Sequence, residues 1–436
     1  MIDFDLYSYL IWAISGIAFV FLIVSSSYYF TFWGLSKKDV LLAPRSEKKS
    51  KFAILIPARY ESNVIHNIFN SLKEQTYDPK YFDVYAIVES ENDPTCKIAR
   101  EYGYHYFVRD RLSPDRRTKG FALQECVDYL WRENLEYDAY MIFDADNVMD
   151  NNYLEVMNDL RQTGVQVGVG NRKFTNVNEN WLTVCSSIMF TYMNQITSRG
   201  RSLLFHKATL MGTGYYVDVD VIKDAGGWIF TGMTEDIQLT TYCYYHDIYM
   251  RFYPVVSFYD EQSPDFKTVH WQHLRWLFGY FERRKRLKTR GAHHNYHTQS
   301  MESFMRFEFN AGIFPFALFH AVQFIILILS TIFGLIAVIT DFEVVVTNFI
   351  VLNAIYSAFI LYISFMIPAI LVVHRHGKDI KLSKKNAVIG TLTYIFFFYD
   401  FVFAFFDGLI HPKKKTLWKE TGHSGVITND DAKKVS

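Results

Sequence analysis

Tyr140-Met-Ile-Phe-Asp-Ala-Asp146 is an apolar run that ends in two carboxylates, one residue apart. Tyr140–Phe143 reads as a short buried strand, and the acids stand at its carboxyl end. In sheets built from alternating strands and helices, ligands bind at that end. Two carboxylates placed there can approach one hard cation. Mg2+ or Mn2+ takes oxygen ligands and keeps positions open for phosphate oxygens. Asp-x-Asp is also common in turns, so the surrounding chain decides between the two readings.

Outward from this segment the chain alternates. Phe52–Pro57, Asp83–Val88, Tyr104–Val108 and Val165–Val169 are strand-like runs. Ser62–Lys73 carries Val64, Ile65, Ile68, Phe69 and Leu72 at helical spacing. Strands alternating with helices predict an α/β domain with a mostly parallel sheet, over residues 51–265. Residues 37–50 read as a polar linker containing Pro44, and there is no internal repeat.

The flanks are different. Leu6–Ser36, Phe309–Thr340 and Val344–Val373 contain no Asp, Glu, Lys or Arg. Each exceeds the ~20 residues that an α-helix needs to cross a bilayer. Residues 1–36 read as a retained transmembrane anchor, because Asp3 and Asp5 replace the basic start of a signal peptide. Lys37, Lys38, Arg45, Lys48, Lys49 and Lys51 follow it, which predicts a cytoplasmic central domain on a multi-pass membrane protein. Residues 309–411 form a C-terminal membrane region of about three apolar segments. The last, Asn386–Ile410, has lysines at both ends and Asp400 and Asp407 within it. It either crosses once against the charge rule or re-enters. Residues 412–436 are a tail.

The chain has 436 residues with 45 basic and 45 acidic side chains. This balance, split between apolar flanks and a charged centre, excludes a freely soluble enzyme and a disordered chain. It offers no basic stripe for nucleic acid. Cys96, Cys126, Cys185 and Cys243 are far apart, which suits a reduced compartment and argues against a zinc site or a disulfide scaffold.

Two further segments carry chemistry. Thr234-Glu235-Asp236 follows Gly226, Gly227, Trp228 and Gly232. An acidic pair can raise one pKa toward general-base work. The same residues also suit a helix start, with Thr234 as N-cap and acids in the first turn. Gln272-His-Leu-Arg-Trp276 lies in Thr268–Lys288, and Gln272, Arg275 and Trp276 share a helical face. Arg275 can pair bidentately with a diphosphate, and Trp276 offers a flat face to a sugar. Leu274, Leu277, Phe278 and Phe281 interleave with Arg283, Arg284, Lys285 and Arg286, as in a helix lying at a membrane interface; residues 266–308 read as that amphipathic part.

Together and in this order, the three segments resemble glycosyltransferase family 2, in the membrane-embedded polysaccharide synthase group of cellulose, chitin and hyaluronan synthases. The resemblance covers roughly residues 51–288. It implies a GT-A-type α/β domain with a mixed, mostly parallel sheet, plus transmembrane and interfacial helices. It further implies that Asp146 binds Mg2+ or Mn2+ bridging a nucleotide diphosphate and that Asp144 contacts nucleotide or metal. Asp236 would be the catalytic base, with Glu235 beside it. Gln272 and Arg275 would hold the diphosphate and Trp276 would stack on the acceptor. Pro57-Ala-Arg-Tyr-Glu61 is similar to the family's first nucleotide loop, keeping Glu61 but departing at Ala58 and Arg59. Lys119-Gly120 is similar to its diphosphate-contacting element, and Gly212-Thr213-Gly214 to its acceptor-facing loop. Glu89, Glu91 and Asp93 stand where paired aspartates usually contact uracil, and none aligns cleanly. Trp418-Lys-Glu-Thr421-Gly-His423 resembles an element near the active-site entrance.

The activity implied is inverting transfer from a UDP-sugar to a growing β-linked glycan, translocated through the surrounding membrane lipid. Transfer of one sugar to a membrane lipid uses similar motifs and is the alternative. An inert subunit is opposed by the intact acidic and Gln–Trp segments. The sugar and the oligomeric state stay open.

Overall fold

The computed structural model describes residues 4–110, 113, 116–289, 314–340 and 344–411. The first apolar run is α1 (Phe4–Leu35). The central domain then starts as the hydrophobic pattern requires, with β1 (Phe52–Pro57), α2 (Ile65–Lys73), β2 (Phe82–Val88), α3 (Pro94–Tyr102), β3 (His105–Val108), α4 (Lys119–Arg132) and β4 (Ala139–Ile142). These four strands are parallel neighbours in the order β3-β2-β1-β4. Local chemistry sets the helix starts. The Asp93 side chain accepts from Thr95 N–H to open α3, and Thr118 accepts from Phe121 N–H to open α4.

The second half continues with β5 (Val148–Met149), α5 (Tyr153–Gln162), β6 (Val167–Phe174), α6 (Trp181–Thr191) and a π-helical stretch, Tyr192–Ser198. After it come α7 (Arg199–Phe205), β7 (Tyr215–Asp218), α8 (Val219–Asp224), α9 (Glu235–Tyr245) and β8 (Met250–Asp260). The sheet order is β3-β2-β1-β4-β7-β6-β8-β5. β7 runs antiparallel to both neighbours, β5 is antiparallel to β8, and β8 is parallel to β6. The sheet is therefore more mixed than alternation alone predicts. Pro254 cannot donate to a ladder, and the β6–β8 register jumps there, from Tyr253 to Ser257.

Successive residues of β1 and β4 point to opposite faces, so each strand feeds two cores. Leu55, Tyr140 and Ile142 pack with Leu123, Trp228 and Leu239 on one side. Ile54, Ile56, Met141 and Phe143 pack with Phe69, Leu154 and Phe258 on the other.

Four helical segments are long and apolar enough to cross a membrane: Ala13–Leu35, Leu318–Ile336, Asn348–His376 and Lys384–Ile410. They belong to α1, α11 (Phe314–Ile339), α12 (Val344–His376) and α13 (Lys384–Ile410), and they follow α10 (Phe266–Thr289) in the chain except for α1. A third core joins α1, α12 and α13 to the central domain. It gathers Tyr28 and Phe32 of α1, Val184 and Ile188 of α6, Val269 of α10, Ala369 and Val372 of α12, and Tyr394 and Phe397 of α13.

α13 packs on both the central domain and the other apolar helices, the latter through Tyr362 with Leu392 and Phe365 with Phe398. Asn386 at its start bonds Asn178. Gly390 leaves no room for a Cβ against Val184 and Ile188. Phe401 stacks on His273 of α10, and Gly408 is closed by Phe278 of α10. These contacts cover about 33 Å of helix axis. Its opposite face exposes Val388, Leu392, Phe396, Phe403, Phe406 and Ile410, an apolar stripe at helical spacing. The segment is one unbroken helix, without the break that a re-entrant hairpin needs.

Candidate active site

The acidic turn after β4 is held from several elements. The Asp144 backbone N–H donates to Thr213 Oγ1 at 3.0 Å and to Asn147 Oδ1 at 3.2 Å. Thr213 in turn donates its hydroxyl to Asn147. The Asn147 amide donates to Asp146 at 3.2 Å and to Asp260 at 3.3 Å. Asp260 is ion-paired with Arg172 and accepts from Gln262 at 3.0 Å. Arg172 lies 4.2 Å over the Phe190 ring, and Phe190 meets Trp276 edge-on at 5.7 Å. A continuous set of contacts thus joins the Asp144–Asp146 turn to the Gln272–Trp276 segment. Gly214, at φ 69°, lies against Phe258 with no space for a side chain, so only glycine serves this turn.

Lys119, at the start of α4, connects the acidic groups. Its ammonium is 2.5 Å from Asp144, donates to the Gly212 carbonyl at 2.8 Å, and lies 3.9 Å from Glu235. Gly120 explains the closeness of α4 to α9. A Cβ there would strike the Phe230 carbonyl, with Thr231 Cα at 2.8 Å and Glu235 Cβ at 3.1 Å. Glu235 and Asp236 do occupy the first turn of α9, but Thr234 makes no side-chain capping bond. Instead Thr234 touches α10, where a Cβ on Gly279 would lie 2.6 Å from Thr234 Cγ2. The Asp236 carboxylate accepts from Ile237 N–H at 2.8 Å.

Electrostatics separates this pocket from an ordinary ion-pair cluster. Burial pushes the pKa of both Glu235 and Asp236 above the usual carboxylate range, with Lys119 opposing the rise. Burial works to lower Lys119, but Asp144 and Glu235 outweigh it and carry that ammonium above its ordinary value. Arg275, on α10, is lowered by burial against the pull of Glu235 and Asp144. Asp144 and Glu235 act on both Lys119 and Arg275, and Asp236 acts on Lys119. Carboxylates gathered at a strand end suit a divalent cation. No three His, Cys, Asp or Glu side chains among the described residues form a complete metal cage. Asp144 and Asp146 would supply oxygen ligands and leave positions to phosphate.

The nucleotide-side expectations divide. Glu89 is ion-paired with Arg59 at 3.2 Å and Arg109 at 3.4 Å. Glu91 is exposed, and Asp93 is occupied in capping α3. Glu61 takes part in the turn before α2, where its carbonyl accepts from Val64 and Ile65. Gln272, Arg275 and Trp276 are half-buried on one side of α10, and Thr213 is buried. Trp418 and Thr421 lie outside the described residues. Sequence reasoning missed Asn147, Arg172 and Asp260, and also Arg109, which holds buried Glu125 at 2.9 Å. An arginine just beyond a strand's carboxyl end was the available signal for Arg109.

The fold, with this acidic site at the carboxyl ends of parallel strands, is a GT-A-like α/β domain. A family profile described as "Glycosyltransferase like family 2" matches residues 49–279, just over half of the chain, and the chain belongs to that family. "Probable glycosyltransferase YdaM" of Bacillus subtilis is 26% identical over 235 residues, 52% of this chain and 55% of that protein. "Beta-monoglucosyldiacylglycerol synthase" of Trichormus variabilis is 26% identical over 53% of this chain and 49% of its own. "Glucomannan 4-beta-mannosyltransferase 1" of Cyamopsis tetragonoloba is 24% identical over 54% and 46%. The chain spans about half the length of the curated relatives it matches. Among solved structures, mannosyltransferase PcManGT of Pyrobaculum calidifontis, in complex with GDP-Man and Mn2+, superposes with a TM-score of 0.54. That match is 14% identical and covers 90% of this chain and 99% of that one, which places the fold.

Proposed function

We propose that the chain is a membrane-integrated, inverting glycosyltransferase that takes a UDP-sugar and elongates a β-linked polysaccharide, which it passes across the plasma membrane. The observation that carries this reading is the charge of the pocket, with a buried acidic pair beside Lys119 and Arg275 and next to a helix bearing Trp276. Asp236 would take the proton of the acceptor hydroxyl, and its raised pKa suits that exchange. Lys119, Gln272 and Arg275 would hold the donor diphosphate, with Thr213, Gly212 and Trp276 on the acceptor side. Asp146 and Asp144 would hold Mg2+ or Mn2+, which when bound neutralises charge on the diphosphate. Glu61 and Glu89 remain the candidates for nucleotide contact, and Glu91 is the weaker one because it is exposed. Attack opposite the leaving group inverts the anomeric centre, so an α-linked donor yields a β-linked product.

The domain would face the cytoplasm. Because α13 follows catalytic-side elements along its length, the tail after residue 411 would stay on that same side, in accord with the lysines flanking α13. Protease protection of a C-terminal tag in intact cells tests this; a tag cleaved from outside refutes it.

A second reading, transfer of a single hexose to a membrane lipid, is favoured by the relatives named for monoglucosyldiacylglycerol synthesis and by the dense packing behind Trp276. There His273, Phe397 and Phe401 fill the space toward α13. One experiment separates the readings. Purified protein in lipid is given labelled UDP-glucose, UDP-N-acetylglucosamine, UDP-galactose, UDP-glucuronate or GDP-mannose, and product size is measured. A polydisperse glycan supports elongation; one lipid-sized product replaces it. If no donor releases nucleotide in wild type, the enzyme assignment itself fails.

A further inference from the structure

The transfer chemistry leaves two carboxylates of the last apolar segment unused. Asp400 is 2% exposed and shares its oxygens between two histidines of α10. Oδ1 lies 2.7 Å from His270 Nδ1, and Oδ2 lies 2.8 Å from His273 Nδ1. Two turns further along α13, Asp407 stands 3.5 Å from His270 Nε2 and 2.8 Å from His411 Nδ1. His273 is fully buried, stacked on Phe401 at 3.9 Å, edge-on to Phe397 at 4.8 Å, and 5.5 Å from Trp276. Burial holds its imidazole below the usual histidine range against the pull of Asp400, so the neutral ring gives its single N–H to that carboxylate.

His270 and His273 are three apart and share one side of α10. Gln272, Arg275, Trp276 and Gly279 lie on another, and Gly279 meets Thr234 next to the acidic pair. Apolar attraction is non-directional, whereas a carboxylate gripping two imidazoles is directional. Buried polar pairs are best attested as devices that fix register.

We propose that Asp400 is a positioning residue for sugar transfer: by tying His270 and His273 to α13, it fixes the rotation and height of α10, and so where Arg275 and Trp276 stand relative to Asp144 and Asp236. The inference rests on the roles proposed above for Arg275 and Trp276.

The test uses the full chain in lipid with Asp400→Ala, Asp400→Asn and Arg275→Ala, alone and combined. A misplacement of about 1 Å costs on the order of 100-fold, so Asp400→Ala should lower kcat about 10- to 100-fold. Asp400→Asn keeps an acceptor for one histidine and should recover most of that loss. Adding Asp400→Ala to Arg275→Ala should cost less than about twofold more, because groups acting as one unit are not additive. Spin labels at Phe266 and Tyr60, both exposed, supply a readout independent of turnover. Their distance distribution should be narrow in wild type and Asp400→Asn and broad in Asp400→Ala. Unchanged kcat in Asp400→Ala, or a loss fully additive with Arg275→Ala, overturns the proposal. In a protein that transfers no sugar, an unchanged distance distribution overturns the positioning role on its own, separately from the assignment of the reaction. Should Asp400→Ala fail to fold, His273→Asn in the same labelled background replaces it, with the same broadening expected and an unchanged distribution again overturning the role.

Discussion

Two clusters of charge sit at the carboxyl ends of parallel strands of one sheet and are built on opposite terms. Beyond β2 and β3, Arg109 grips Glu125 at 2.9 Å and Glu89 at 3.4 Å, with Arg116 3.2 Å from Glu125 and Arg59 3.2 Å from Glu89. Glu89 and Glu125 each have guanidinium groups against them. Beyond β4, the adjacent pair Glu235–Asp236 is pushed by burial toward protonation, with Lys119 opposing the rise. Matched charge in a buried place holds the chain in shape. Unmatched charge is tolerated where a cation, a diphosphate or a proton completes the account during turnover.

The largest effect that tests this contrast belongs to Asp236→Asn. Losing a general base costs about 10²–10⁴-fold, so sugar transfer measured by UDP release should fall by about 10³. Stability should move the other way. A carboxyl whose folded pKa is raised is most stabilising in acid, and that contribution is lost as pH rises through the raised value. At neutral pH the amide should therefore leave the thermal midpoint equal or higher. A midpoint several degrees lower would mean that Asp236 is held like Glu125.

Glu125→Gln makes the complementary cut. Its side chain is 0% exposed and that of Arg109 is 3% exposed. Breaking a buried pair by removing one partner costs about 3–5 kcal/mol, which should appear as a large drop in thermal midpoint. Transfer per folded molecule should fall far less than in Asp236→Asn. Next in size, Asn147→Ala removes the amide that orients Asp146. Losing such an outer partner weakens metal binding about 10- to 100-fold, read as the Mg2+ or Mn2+ concentration that restores activity after chelation. Recovery at the wild-type concentration would detach Asp146 from the metal. The smallest change is a displacement in pH. Lys119 holds Glu235 and Asp236 down, so Lys119→Met should raise both and move the acid limb of kcat/KM to higher pH. A limb moving to lower pH would show that a different group limits the rate.

The parallel half of the sheet was legible because β1 to β4 are short apolar runs separated by helices. The Asp144–Asp146, Glu235–Asp236 and Gln272–Trp276 segments were legible because each groups its chemistry within a few residues. Of the antiparallel half, only Val165–Val169, at the start of β6, was legible. Tyr215–Asp218 has four residues and β8 is broken by Pro254, so neither repeats long enough to register. Asn147 and Asp260 meet across 113 residues, and no local period announces a pair of single side chains. The course of α13 was hidden for another reason. Hydropathy reports that a helix is apolar all round; it does not say whether protein or lipid covers each side. That information lies in Gly390, Asp400 and Gly408, whose surroundings come from α6 and α10.

One close approach has a bearing on how such a machine moves. Gly200 of α7 lies under Phe32 of α1, where a Cβ would sit 2.7 Å from the ring, and Arg375 of α12 donates to the Ser36 carbonyl at 2.8 Å. With α10 held separately by α13, the catalytic domain is bolted to its apolar helices at more than one point. Two attachments resist the tilting that a single stalk allows. In the membrane-integrated enzyme proposed above, the reacting centre would keep one altitude above the bilayer, and any acceptor would be measured against it as against the jaw of a caliper.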